Sequence, residues 1–277
     1  MLVRVGCSFV HAATAPVHAI LQVEPRRDAV GAVVDDAWDN DPPTTGTTYV
    51  DLYGNLCRRL TIPDGRSSLS YDALVEVDDS PDPVRAGAQE VAADELPADA
   101  LVFTLPSRYC PSDELADAAW ALFGSTSPGW NRVQAICDWV HDAIRYDPAS
   151  STRLTTAVNV YEERAGVCRD FAHLAVTFCR AFSIPARYAF GYLPDIGVPP
   201  PDDPMDFCAW MEVLLDDRWW TFDPRNNVPR VGRVLIGRGR DALDVAMITA
   251  FGDARLETMA VHADQADQAD EADEAVT

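Results

Sequence analysis

The sequence predicts an α+β protein in two parts, an N-terminal antiparallel β-sheet or sandwich region followed by a domain of helices and then strands. Three observations predict it. Short apolar runs divided by turn residues fill the first hundred positions. Apolar residues at helical spacing begin after Ser112. Apolar runs of strand length return after Ile184-Pro185.

In the first part, residues 3–10 and 19–23 are short apolar runs. Residues 48–52 and 58–62 flank Tyr53-Gly54-Asn55, a hairpin turn. Residues 70–77 read as a further strand, with Tyr71, Ala73, Val75 and Val77 on one face. Polar connections, 35–46 and 78–97, lie between. No chemistry is visible in this part.

In the second part, Ser112 is placed to cap a helix that carries Asp113 and Glu114 in its first turn and stops at Gly124. Ser127-Pro128 opens the next, with Pro at the first helical position. Its Val133, Ile136, Cys137, Val140 and Ile144 keep helical spacing, and it ends before Asp147-Pro148. A third helix runs from about Val167 to Phe182, with Phe171, Leu174, Ala175 and Phe178 in its apolar set. Residues 186–193, 207–215 and 219–223 read as strands, separated by a proline-laden loop at 194–204 and a turn at Asp216-Asp217-Arg218. Residues 228–239 are rich in Gly and Arg. Residues 263–277 repeat Ala, Asp, Gln and Glu, too polar to bury anything, and are expected to be a disordered acidic tail.

A chain of 277 residues is comfortable for two domains, and 48% hydrophobic content allows a real core. The formal net charge is −22, and no Lys occurs. Charge this far from zero keeps a surface solvated, a lever that halophilic proteins use, and it points to a salt-adapted cytoplasm, although GC-rich coding also favours Arg. It argues against nucleic acid, which needs a basic face. No run reaches the length of a membrane span, and residues 1–10 lack the basic start and long apolar stretch of a signal peptide. The expectation is a cytoplasmic protein with no membrane partner. Seven irregularly spaced cysteines, without a CxxC pair, form no disulfide framework and speak against structural zinc.

Cys168 follows Gly166-Val167 and opens the third helix. Free N–H groups and the positive end of the helix dipole stabilise a thiolate there, and the thiolate is the nucleophilic form. The competing reading is a buried structural thiol, because cysteine is among the most buried residue types.

Around Cys168 the order of motifs carries more. Gly166-Val167-Cys168-Arg169-Asp170-Phe171-Ala172-His173-Leu174 is followed by Ile184-Pro185-Ala186-Arg187-Tyr188 and Gly191-Tyr192. Ala209-Trp210-Met211-Glu212-Val213 and Trp220-Thr221-Phe222-Asp223 come next. From Leu105 to about Gly252 the chain resembles the transglutaminase-like superfamily, proteins with a papain-like core. The first hundred residues look like the β-region often found in bacterial and archaeal members. The resemblance divides the chain into an N-terminal β-region at 1–105, a transglutaminase-like domain at 106–262 and the tail at 263–277.

The resemblance implies a Cys-His-Asp triad acting on a protein or peptide amide, by hydrolysis or acyl transfer. Carried over, the nucleophile is Cys168 and the orienting acid Asp223, and the N–H of Cys168 contributes to an oxyanion hole. The histidine should directly precede Ala209-Trp210, and Cys208 stands there. A thiol is a poor acid–base relay near neutral pH.

Three readings follow. Another base substitutes, with His173 or His141 as candidates, although core or capping roles suit both better. The protein is a degenerate enzyme that keeps a peptide- or protein-binding cleft. Or Cys168 and Cys208 face each other as a redox-sensitive pair. Two sulfurs and Asp223 would hold a soft metal only with a fourth ligand, which is not evident, so no metal or cofactor is assigned.

The remaining features draw plainer readings. Cys137 and Cys179 are packing residues. Glu212 shares a strand face with Cys208 and Trp210 and either approaches the site or is paired. Trp210, Trp219 and Trp220 are core or cleft walls. Gly237-Arg238-Gly239-Arg240 is a weak anion-loop signal. Arg225, Arg230 and Arg233 are as suited to pairing with the abundant acids as with a substrate carboxylate.

Overall fold

Residues 1–28, 31–199 and 204–266 are described by the computed structural model. Strand β1 (Leu2–Ala13) alternates in the way a half-buried strand must, with Val3, Val5, Cys7 and Phe9 buried and Arg4 exposed. It pairs antiparallel with β6 (Gly65–Glu76), and β6 pairs with β3 (Ala32–Asp41). A second sheet joins β2 (Val17–Leu21), β5 (Leu56–Ile62) and β4 (Thr47–Val50). The β4–β5 hairpin turns at Gly54, whose φ of 78° lies in the left-handed region that glycine tolerates. The expected strands are present, and β3 is an addition, for its acid-rich sequence had read as a connection.

The helices are α1 (Ala116–Phe123), α2 (Trp130–Ala143), α3 (Ala157–Glu163) and α4 (Cys168–Ala181). Neither expected start of the first two holds. Ser112 lies in a turn and Leu115 precedes the first helical residue, without a side-chain cap. The second helix starts at Trp130 after Gly129, whose φ of 83° and N–H bond to Glu90 Oε1 set the entry, so Pro128 stays outside. Between the helices, β7 (Arg145–Tyr146) and β8 (Ala165–Gly166) form a short parallel pair that leads the chain into α4.

The central sheet runs β11 (Arg218–Phe222), β10 (Cys208–Leu215), β9 (Ala186–Tyr192), β12 (Val234–Gly239), all neighbours antiparallel. Every residue of β10 is buried, as a strand covered on both faces requires. The helices cover one face, where Phe171, Leu174 and Phe178 meet Met211, Val213 and Trp220. Burying side chains of this size stabilises by about 1.5–3 kcal/mol each. The first sheet covers the other face, so Val5, Phe9 and Tyr71 share a core with Tyr188, Phe190 and Val234.

The chain then returns. β13 (Ile248–Ala250) pairs with β2, and β14 (Ala254–Gln265) pairs with β1 along its length. Residues 254–265 therefore belong to the first sheet, across the expected divisions at 106–262 and 263–277. Residues 263–265 of the expected tail are strand. Residues 267–277 lie outside the described residues.

Candidate active site

Helix α4 begins where its sequence provides for a start. The Asp170 carboxylate, fully buried, accepts the Val167 N–H at 3.0 Å and is held by Arg169 at 2.8 Å. An acid in the first turn answers free N–H groups and the dipole. Gly166 makes room for it, because a Cβ there would stand 2.8 Å from the Asp170 Cβ. Cys168 is the first helical residue, so its N–H has no acceptor within the helix.

Cys168 lines a cleft of about 840 Å³ together with Tyr188, Phe207, Cys208 and Arg225. Its Sγ lies 3.6 Å from the Phe207 carbonyl. Cys208, the first residue of β10, lines the same cleft, with its Sγ 3.8 Å from the Ala209 carbonyl oxygen and near enough to the Cys168 sulfur to act on it as a hydrogen-bond donor. That hydrogen bond is the main reason the Cys168 thiol titrates below the usual thiol range. Burial opposes the shift, and the Arg225 charge adds to it. The same contact, together with burial and the Asp223 charge, drives Cys208 well above that range. The two thiols are therefore tuned in opposite directions, Cys168 towards the thiolate and Cys208 towards the thiol.

The other five cysteines go the opposite way to Cys168. Burial pushes Cys7 and Cys110 up to about 12 and raises Cys57, Cys137 and Cys179. One thiol of seven is tuned towards the nucleophilic form, and it is the one at a helix start in an open cleft.

Asp223 follows β11 and is buried. Its carboxylate meets no imidazole. One oxygen accepts the N–H groups of Arg225 and Asn226 at 3.2 and 2.9 Å. The other accepts Asn226 Nδ2 and Arg233 at 2.8 Å each. Burial works against its charge, and Arg233 and Asn226 outweigh burial, so the group stays below the usual carboxylate range. Arg233 is also held by Asp82 at 2.8 Å and lies over the Trp210 ring at 4.9 Å.

Cys168 and Cys208 thus line one cleft, from α4 and β10, whereas Asp223 at the end of β11 does not line it and reaches Cys208 only through its charge. Neither candidate histidine joins them. His173 is fully buried between the rings of Tyr109 and Tyr188, and its Nε2 accepts the Ala242 N–H at 3.1 Å. Burial pushes its pKa down to about 3, so it stays neutral. His141 is exposed and bonds the Arg225 carbonyl through Nδ1 at 2.7 Å. Glu212 turns to Arg187 and Arg238, 2.6 Å from each, so it takes the paired role and Arg238 is no anion loop. Among the described residues no cluster of His, Cys, Asp and Glu forms a metal site.

The sequence reading missed Asn226 and Asp206. Asn226 had a local signal, since an amide three residues after Asp223 suits an Asx-type turn. Asp206, two residues before Cys208, lines the cleft mouth, and burial raises its carboxyl above the usual range.

Comparison with known proteins agrees with this geometry. The profile of the transglutaminase-like superfamily matches residues 118–224, which span α1 to Asp223. A solved structure from Cytophaga hutchinsonii, provisionally assigned as a cysteine protease, is 33% identical. It covers 96% of this chain and 91% of its own, with a TM-score of 0.88. An uncharacterized protein of Mycobacterium leprae, ML0607, is 24% identical and aligns over 84% of this chain and 86% of its own length. Rv2569c of Mycobacterium tuberculosis, also uncharacterized, is 29% identical over 74% and 72%. The helix-start cysteine, the antiparallel central sheet and a similarity that runs through both parts lead to one assignment: the chain belongs to the transglutaminase-like superfamily, with a papain-like core.

Proposed function

We propose that the cleft carries thiol-dependent acyl chemistry on a peptide or protein amide, with Cys168 as nucleophile. The observation that carries this reading is Cys168 at the first position of α4 in a cleft it shares with Cys208, and the opposite tuning of the two thiols supports it. The Cys168 thiolate attacks the carbonyl carbon, and the carbonyl electrons move to oxygen. The Cys168 N–H is placed to bond that oxyanion. On collapse the C–N bond breaks, and the departing amine takes the proton of Cys208. Water or a second amine then attacks the thioester, returns a proton to Cys208 and releases Cys168. Asp223 acts at a distance, through its charge and its hold on the segment that carries Arg225.

A thiol is a weak relay, so the expected rate is modest beside that of a histidine-bearing relative. A second reading rests on the same locked carboxylate. With Asp223 engaged by Arg233 and no imidazole at Cys168, the cleft suits a peptide-binding module whose thiol pair responds to oxidants.

A peptidyl amide mimic with a thiol-reactive group separates the two. One label per chain at Cys168, faster than at Cys137 and lost in Cys168→Ala, supports the enzyme. Labelling no faster than at Cys137 supports the binding module.

A further inference from the structure

Three arginines follow Asp223 closely in the chain, and the fold treats them differently. Arg230 is buried and ion-pairs with Asp195 at 2.9 Å. Arg233 is buried between Asp82 and Asp223. Arg225 is half-buried, with its guanidinium over the Tyr146 ring at 4.2 Å. Among the described residues no carboxylate lies within ion-pair distance of it. Asp223 is near, but the Arg225 backbone N–H, Asn226 and Arg233 occupy its oxygens. Asp206 feels the Arg225 charge, and one of its oxygens accepts the Phe207 N–H at 2.7 Å.

A cation without a carboxylate partner among the described residues is unexpected in this chain. Acids outnumber bases by 44 to 22, so a surface arginine has partners in abundance. The described cleft wall nevertheless carries Arg153, Arg169, Arg225 and Arg230 against Asp195 and Asp206. Arg169 and Arg230 are paired with Asp170 and Asp195, so Arg153 and Arg225 are the cations of this wall without a carboxylate partner among the described residues, on a protein whose acidic surface otherwise repels anions. Arg225 is also close enough to Cys168 for its charge to act on that sulfur. A guanidinium backed by an aromatic ring keeps its fork of donors free for a planar carboxylate.

We propose that Arg225 is a specificity residue that docks a carboxylate of the substrate, so that the amide attacked by Cys168 belongs to a carboxylate-bearing acyl group. An acidic side chain and a free peptide C-terminus offer the same chemistry. The inference rests on Cys168 being the nucleophile.

Two small alkylating agents test it without a known substrate. Iodoacetamide is neutral and iodoacetate carries a carboxylate. With either, the thiolate forms a C–S bond and iodide leaves. Labelling of Cys168 is followed by peptide mass mapping, and the iodoacetate to iodoacetamide rate ratio is normalised to free cysteine. The ratio cancels any change in the thiolate fraction. At low salt the protein is expected to exceed free cysteine by about fivefold or more, and Arg225→Gln to return to the free value. Arg225→Lys should retain part of the preference. An unchanged circular dichroism spectrum and denaturation midpoint report that each variant is folded. A ratio at or below that of free cysteine, or a preference that survives Arg225→Gln, overturns the docking role and leaves the nucleophile standing. Labelling by neither reagent overturns both. Once the preference is established, protection of Cys168 by an N-acetylated acidic dipeptide amide, compared with a neutral dipeptide acid, identifies which carboxylate source fits.

Discussion

Arg233 grips the Asp223 carboxylate at 2.8 Å, and no imidazole meets that carboxylate. Both groups are buried, and Asp82 and the Trp210 ring complete the surroundings of the guanidinium. The pair turns an orienting acid into a structural one. Breaking it by removing one partner leaves a buried carboxylate without its counter-charge. Arg233→Met is expected to lower the unfolding free energy by about 3–5 kcal/mol, as measured by urea denaturation at neutral pH. A loss below about 1 kcal/mol would show that Asn226 and the backbone donors suffice for Asp223.

Cys208 limits the chemistry through what it cannot do. It is protonated and held at the Cys168 sulfur, so it donates but relays poorly. Cys208→His is expected to raise the amide turnover of the protein by on the order of a hundredfold, read as amine release at neutral pH. An unchanged rate would mean that the missing base is not what slows the cleft.

The same contact sets a pH profile. The hydrogen bond from Cys208 is the largest influence lowering the Cys168 thiol. In Cys208→Ala the midpoint of the rate–pH curve for iodoacetamide labelling should move to higher pH, because the thiolate loses its donor. A midpoint that stays in place or moves down would remove Cys208 from the account of the nucleophile.

His173 gives a stability prediction with a defined sign. Its folded pKa, about 3, lies below the ordinary value of 6.5. Between these values the unfolded chain binds more protons, so stability rises with pH across the window and is lost as pH falls. The full effect is on the order of 5 kcal/mol. Acid also relieves the repulsion among the many carboxylates, so the comparison is with His173→Gln, which keeps an acceptor for the Ala242 N–H. The wild-type protein should lose more denaturant resistance than the variant between pH 6.5 and pH 4. Parallel curves would show that the ring protonates without cost.

What was legible in the sequence follows from local physics. Val3, Val5 and Phe9 alternate because β1 buries one face, and Phe171, Leu174 and Phe178 recur because α4 buries a stripe. The hairpin at Gly54 and the nucleophile at the head of α4 needed only neighbours in the chain. Strands β3 and β14 escaped because they are edge strands, largely exposed, whose place depends on backbone pairing with β6 and β1. Such pairing leaves no apolar signature. Helix α3, seven residues long, is too short for a period to show.

The sequence by itself determined the family, three of the four strands of the central sheet and the departure at Cys208, because these rest on residue types in order along the chain; β12 read only as a Gly- and Arg-rich segment. Only the tertiary structure decided which acid each arginine takes. Ion pairs join whichever charges the packed elements bring within a few ångströms, and Asp82 reaches Arg233 from 151 positions away. Among the described residues that partition leaves Arg225 without a carboxylate in the cleft that Cys168 lines, and no spacing in the chain announces it.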